Sequence, residues 1–149
     1  MPATDESNIL RMTRRFRAAR DRVFAAFTSF EAMSVWFGPA TCKVTGGTLD
    51  FHEGGRYRIE VKTPNGEAIV GGVYREITAP EKLVFTWKWE DDEDWANTES
   101  VVTLEFRSDG DETELRLTQE GFPVPESRGN HEHGWSGCFD KLEAMLAAP

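Results

Sequence analysis

The sequence predicts an α+β fold, a curved antiparallel sheet of about seven strands wrapped around a long C-terminal helix, with two short helices after the first strand. Three observations carry this expectation. Apolar residues alternate at period two through the middle of the chain, glycine pairs fall in or beside that alternation, and the last stretch switches to three- and four-residue spacing.

The first element is read from Asn8 to Arg17, where Leu10, Met12, Arg14 and Phe16 share one side of a strand before Ala18-Ala19-Arg20-Asp21 interrupts it. Asp21 is placed to cap a helix carrying Val23, Phe24 and Phe27 at helical spacing. After Thr28-Ser29 a second short helix runs from Phe30 to Trp36 and Phe37, and Gly38-Pro39 stops it.

From Thr41 to about Ser108 the period is two. Tyr57, Ile59 and Val61 alternate with Arg56, Arg58, Glu60 and Lys62. Leu83, Phe85, Trp87 and Trp89 stand against Thr86, Lys88 and Glu90, and Val102, Leu104 and Phe106 against Thr103, Glu105 and Arg107. Leu115 and Leu117 extend the pattern after Asp109-Gly110-Asp111-Glu112, a hairpin turn. Pro64-Asn65-Gly66 and Ala79-Pro80-Glu81 divide the remainder into strands of ordinary length, giving an antiparallel meander.

The pairs Gly46-Gly47, Gly54-Gly55 and Gly71-Gly72 permit bulges and sharp bends, so the sheet can curl. Strand parity near Gly71-Gly72 stays open, because a bulge there turns every later side chain to the opposite face. Beyond Gly121-Phe122-Pro123-Val124-Pro125, the residues His131, Trp135, Cys138, Phe139, Leu142, Met145 and Leu146 form the apolar stripe of an amphipathic helix. Ordering such a helix costs about 1–2 kcal/mol per residue in backbone entropy, so it depends on the sheet and does not fold alone.

A chain of 149 residues fits one domain spanning 1–149, with residues 1–7 expected to be a flexible N-terminus. Ten Phe and five Trp give an aromatic-rich interior. The net charge of −9 opposes phosphate backbones and anionic headgroups, so neither nucleic acid nor membrane is expected as a partner. Met1 to Asn8 has no basic and no apolar export region and no segment is long enough to span a bilayer, which makes a cytoplasmic location the default. Cys42 and Cys138 have no C-x-x-C spacing and read as buried small hydrophobes.

Strings along nearly the whole chain resemble one family. They are R-R-F-R-A-A-R-D-R-V-F-A-A-F-T (Arg14 to Thr28), W-F-G-P (Trp36 to Pro39), E-G-G-R-Y-R (Glu53 to Arg58) and G-G-V-Y-R-E-I-T-A-P-E-K-L-V-F-T-W (Gly71 to Trp87). V-T-L-E-F (Val102 to Phe106), T-Q-E-G-F (Thr118 to Phe122) and G-W-S-G-C-F-D-K-L-E (Gly134 to Glu143) follow. In this order they resemble the SRPBCC, or START-like, superfamily of helix-grip proteins, and within it the bacterial relatives of the activator of the heat-shock-protein-90 ATPase. The resemblance implies a helix-grip fold with a cavity between sheet and terminal helix. Its members include ligand carriers, cyclases and chaperone activators, so it does not fix one function. Two positions depart from the family's pattern: His52 stands where arginine is common before Gly-Gly, and Gln119 where histidine is common before Glu-Gly-Phe.

No local motif demands catalysis. Gly134-Trp135-Ser136-Gly137-Cys138 lacks the final glycine and the strand-to-helix turn of a nucleophile elbow. His131 and His133 point to different sides of a helix start with no third ligand in pattern, so neither metal nor cofactor is expected. Glu90-Asp91-Asp92-Glu93-Asp94 lacks the glycine and glutamate of a calcium loop and reads as a solvated hairpin loop, while Trp95 after it either folds over a cavity mouth or anchors the loop.

Tyr57, Trp87, Trp89, Phe106, Trp135 and Phe139 each lie on the apolar side of their own element and are candidates for core, pocket wall or both. Tyr74, Glu76, Arg58 and His131 are the polar side chains that could reach such a pocket or, equally, sit on a strand surface or rim.

Three functions follow. The first is binding of a small, largely hydrophobic ligand. The second is a cavity enzyme of cyclase, dehydratase or hydrolase-like type using Tyr74, Glu76 or His131 for proton transfer. The third is association with a chaperone, which only the family resemblance raises. Eukaryotic activators carry an additional docking domain for which a chain of this length leaves no room, so a chaperone partner is not expected. A homodimer is implied by the resemblance alone, without an exposed apolar stripe to argue for it independently.

Overall fold

The computed structural model describes residues 8–38 and 41–147. The proposed flexible N-terminus and Pro39, the expected stop after the second helix, lie outside the described residues. The elements run β1 (Ile9–Phe16), α1 (Arg20–Ala25), α2 (Phe30–Trp36), β2 (Lys43–Leu49), β3 (Arg56–Thr63), β4 (Gly66–Thr78), β5 (Lys82–Trp89), β6 (Ser100–Asp109), β7 (Glu112–Glu120) and α3 (Pro125–Ala147). The seven strands make one antiparallel sheet in the order β1-β7-β6-β5-β4-β3-β2, so the meander predicted for β2 to β7 is present and β1 joins its far side. α1 and α2 carry the chain from one sheet edge to the other, and α3 packs inside the curve. Among the described residues no helix is long and apolar enough to cross a membrane.

Period two fixes the inner face of each strand. Tyr57, Ile59 and Val61 of β3, Leu83, Phe85 and Trp87 of β5, and Leu115 and Leu117 of β7 are all buried. Pro125 opens α3, where a missing N–H costs nothing.

Local details differ from expectation. Asp21 does not cap α1: Ala19 is its N-cap with no side-chain bond, and Asp21 lies one residue inside the first turn, where its charge favours the helix N-terminus. At α2 the cap is Ser29, whose Oγ accepts the Ala32 N–H at 3.1 Å. Thr86, expected on the solvent side of β5, is buried, because Gly72 of β4 carries no Cβ and lets that strand lie directly against it; its Oγ1 accepts the Val73 N–H at 2.8 Å.

The open question of parity in β4 has a definite answer. Val70 and Tyr74 both face the interior, so Gly71-Gly72 does not turn the strand over. The register instead shifts between Tyr74 and Glu76, with Arg75 as the extra residue. After it Ile77 packs on the core and Glu76 turns outward, accepting a hydrogen bond from Thr78 Oγ1 at 3.0 Å and lying 3.8 Å from Lys82.

α3 is held tightly along its C-terminal half. Phe139, Leu142 and Leu146 are buried, and Phe139 meets Phe16 of β1 edge-on at 6.0 Å. Arg14, on the inner side of β1, pairs with Asp140 at 2.6 Å and Glu143 at 3.5 Å. Arg22 donates to the Leu146 carbonyl at 2.9 Å near the helix end, where cations are favoured. Lys141 donates to the Cys42 carbonyl at 3.1 Å. These ties position one half of α3, and the site lies beneath the other half.

Candidate functional site: an aromatic cavity under the first half of the terminal helix

Between β3, β4, β5 and the N-terminal half of α3 lies a cavity of about 890 Å³. Trp87 and Trp89 are two apart on β5 and therefore both project inward. His131, Trp135 and Cys138 recur at helical spacing on α3 and face them from the other side. Val61 and Ala68, partners across β3 and β4, form the apolar floor. Trp95, in a 3-10 turn over Glu93–Trp95, closes one side, and the acidic loop Glu90 to Asp94 rims the mouth.

The imidazole of His131 is the hub of this wall. Its Nδ1–H donates to the Ser127 carbonyl at 2.7 Å, one helical turn back, which leaves Nε2 as an acceptor. Two indoles donate to that one nitrogen, Trp87 Nε1 at 3.1 Å and Trp89 Nε1 at 2.9 Å. Phe122 and Trp95 flank the ring at centroid distances of 5.0 and 5.5 Å. Burial lowers the His131 pKa, and the Ser127 carbonyl opposes this in part. The neutral ring is the form that both indoles require.

A pH dependence follows with a definite sign. The unfolded chain takes up this proton near pH 6.5 and the folded chain only at lower pH, so the stability His131 contributes is full above pH 6.5 and is lost as pH falls through its folded pKa. His131→Gln, which keeps a carbonyl acceptor for the indoles, is expected to flatten the fall of the urea midpoint between about pH 6.5 and 5. Equal slopes in the two proteins would place the acid sensitivity elsewhere. His52, raised by the Glu53 carbonyl and Asp50, acts with the opposite sign in both proteins and cancels in the comparison.

A second polar chain ties α3 to the sheet. Trp135 Nε1 donates to Gln119 Oε1 at 2.9 Å, Gln119 Nε2 donates to Ser100 Oγ at 2.9 Å, and Ser100 Oγ donates to the Trp87 carbonyl at 3.0 Å. Gln119 and Ser100 are fully buried, and each bond satisfies a group that would otherwise be costly to bury. The sequence carried a signal for both residues: they are polar at positions in phase with Leu115 and Leu117 on β7 and with Val102 and Leu104 on β6.

At the cavity's inner end Cys138 Sγ accepts the Gly38 N–H at 3.1 Å. Burial pushes its thiol up to about 12, so it behaves as the small hydrophobe the sequence predicted. Gly134 to Cys138 lie wholly within α3, without the turn a nucleophile elbow needs.

Of the residues named from sequence, the structure brings Trp87, Trp89, His131 and Trp135 together around the cavity. Tyr57 and Tyr74 lie deeper, among Phe27, Leu83 and Phe85, where only about 10 Å³ is free. Tyr57 donates its hydroxyl to the Thr86 carbonyl, and burial raises the pKa of both tyrosines. Phe106 packs against Phe24 and Phe27 at 5.2 and 5.4 Å, and Phe139 against Phe16, so these two belong to the core. Glu76 faces away from the interior because of the Arg75 bulge. Arg58 is on the outer face, bonded to Glu90 at 2.8 Å. The sequence reading did not identify Phe37, Phe122 or Ser127 as parts of the site.

Fold and site together define a helix-grip domain with an aromatic cavity between sheet and terminal helix. The AHSA1 protein from Silicibacter pomeroyi is 30% identical over 93% of this chain and 97% of that one, with a TM-score of 0.83. A protein from Chromobacterium violaceum is 25% identical over 95% and 99%, with a TM-score of 0.84. A protein from Arthrobacter aurescens, at 22% identity over 99% and 91%, has the same fold with a TM-score of 0.83. No curated protein sequence matches the chain. The profile of the family described as "Activator of Hsp90 ATPase homolog 1-like protein" matches residues 17–147, and the chain belongs to that family. Family and cavity support a ligand-binding domain in general terms.

Proposed function

We propose that this protein binds a small, largely hydrophobic molecule in the cavity between β3–β5 and the first half of α3. The observation that carries this reading is the volume of about 890 Å³ walled by Trp87, Trp89, Trp95 and Trp135. It lies within the range of ordinary ligand sites, and apolar walls with few polar groups are what such sites use. The hydrogen bonds around His131 and Gln119 hold the wall rigid before a ligand arrives, which lowers the ordering cost of binding.

The groups weighed for proton transfer support binding over turnover. Tyr74 is enclosed in the core, Glu76 faces outward, and both nitrogens of His131 are engaged. The chaperone reading rests on the family's description alone.

A neutral fluorescent probe, phenylnaphthylamine, is expected to bind saturably and to quench tryptophan emission. Gly134 lines the cavity and a Cβ there meets no atom within 4 Å beyond the backbone of its own helix, so Gly134→Phe places a ring in the empty space without clashing with the sheet. This variant is expected to weaken the probe by at least about tenfold, or about 1.4 kcal/mol, with an unchanged circular dichroism spectrum. Absence of saturable binding, or equal affinity in the filled variant, refutes the reading.

A further inference from the structure

We infer that the cavity selects a positively charged amphiphile: an organic ammonium whose apolar body enters between the tryptophans and whose cationic head stays at the mouth. The inference rests on the cavity-binding reading and adds the sign of the ligand's charge.

An apolar cavity alone is equally suited to a fatty acid, an alcohol or an amine. What separates them is what the wall can offer to a charge. Trp87, Trp89 and Trp135 have no indole N–H left for a guest, because the first two donate to His131 and the third to Gln119. The His131 Nδ1–H is likewise committed to the Ser127 carbonyl. Trp95, Ser127 and Asn130 also line the cavity with side-chain donors, whereas these four side chains present carbon edges and π faces and no free donor. A carboxylate brought against them would lose its water without regaining hydrogen bonds, which is costly. A cationic head left at the mouth keeps its water and asks no donor of the wall, so there the sign of the rim charge decides.

The mouth supplies that sign. Among the described residues lining the cavity there is no Lys and no Arg, whereas Glu67, Glu90, Asp91, Asp92, Asp94 and Glu126 all line it. Some of this charge is already answered. Arg58 holds Glu90 and lies near Asp91, Glu67 stands across from Lys62 in the register of β3 and β4, and Asp92 accepts the Asp94 N–H. Lys141 at the inner end donates to the Cys42 carbonyl. Asp94 and Glu126 remain exposed on the lining, one from the loop after β5 and one from the first turn of α3. In a protein of net charge −9, a cleft edged this way concentrates cations and repels anions. A bare metal ion is a poorer fit, since among the described residues no three His, Cys, Asp or Glu side chains converge to hold one.

The test uses three probes with the same eight-carbon tail, octyltrimethylammonium, octanol and octanoate, each titrated below its micellar concentration and followed by calorimetry and tryptophan emission. The ammonium is expected to bind at least about tenfold tighter than octanol, with octanoate weakest. The gap between ammonium and octanol should narrow at about 0.5 M salt, where the rim charges are screened. Asp94→Asn combined with Glu126→Gln is expected to shrink that gap while leaving octanol affinity in place. Octanol or octanoate binding as tightly as the ammonium overturns the charge preference, a gap unmoved by the double variant overturns its assignment to the acidic rim, and either leaves the cavity reading intact. No binding by any of the three overturns the cavity reading on which it rests.

Discussion

Trp135→Ala is expected to remove about 3–5 kcal/mol of stability, the range for deleting a buried aromatic side chain. Trp135 is 3% exposed, stacks near Trp87 and Phe139 at 5.1 and 5.8 Å, and is the donor to Gln119 Oε1. Marginal folds have only about 5–15 kcal/mol in all, so the loss is a large part of the total. Trp135→Phe separates ring from hydrogen bond. It keeps most of the packing but leaves a buried carbonyl oxygen without its donor, which costs about 1–3 kcal/mol. Adding Gln119→Leu removes the orphaned acceptor as well, so the double variant should be less destabilised than the sum of the two single variants. Urea unfolding of the four proteins measures this. Full additivity would mean that the Trp135 to Gln119 bond contributes nothing.

Gly72→Ala is expected to cost more than about 3 kcal/mol, above the range of ordinary substitutions. A Cβ at Gly72 would collide with the carbonyl oxygen of Thr86 and lie 2.7 Å from its Oγ1. The obstacle is backbone, and it is backbone already in use, since the same carbonyl accepts the Tyr57 hydroxyl. Relief therefore requires β4 and β5 to part beside Tyr74 and Phe85, at the deep end of the core. Trimming the neighbour should not help: Thr86→Ala in the Gly72→Ala background is expected to leave the loss in place. Recovery of the unfolding midpoint in that double variant would locate the clash in the side chain and contradict the close approach of the two strands.

Most of the fold was legible because each strand announces its inner face by alternation, as at Tyr57-Ile59-Val61 and Leu83-Phe85-Trp87, and because α3 shows its buried stripe at helical spacing. Local chemistry was less legible. The cap at Ser29 was readable in principle, whereas Asp21 missed its role by two residues, a displacement that sequence propensity cannot resolve. Thr86 escaped because its burial depends on a glycine fourteen residues earlier on another strand.

The site was legible by composition and not by position. Sequence alone placed Trp87, Trp89, Trp135 and Phe139 on interior faces, and all four do contact the core or the cavity. Alternation reports which way a side chain points and is silent on what stands opposite it. That was decided by α3, whose second half is drawn onto β1 by Phe139, Leu142 and the Arg14 ion pairs while its first half spans a gap above β3 to β5. The same packing filled the space around Tyr57 and Phe106, and a single inserted residue, Arg75, sent Glu76 to the outside. Which aromatics are core and which are wall depends on distances between elements far apart in the chain, and only the assembled tertiary structure contains those distances.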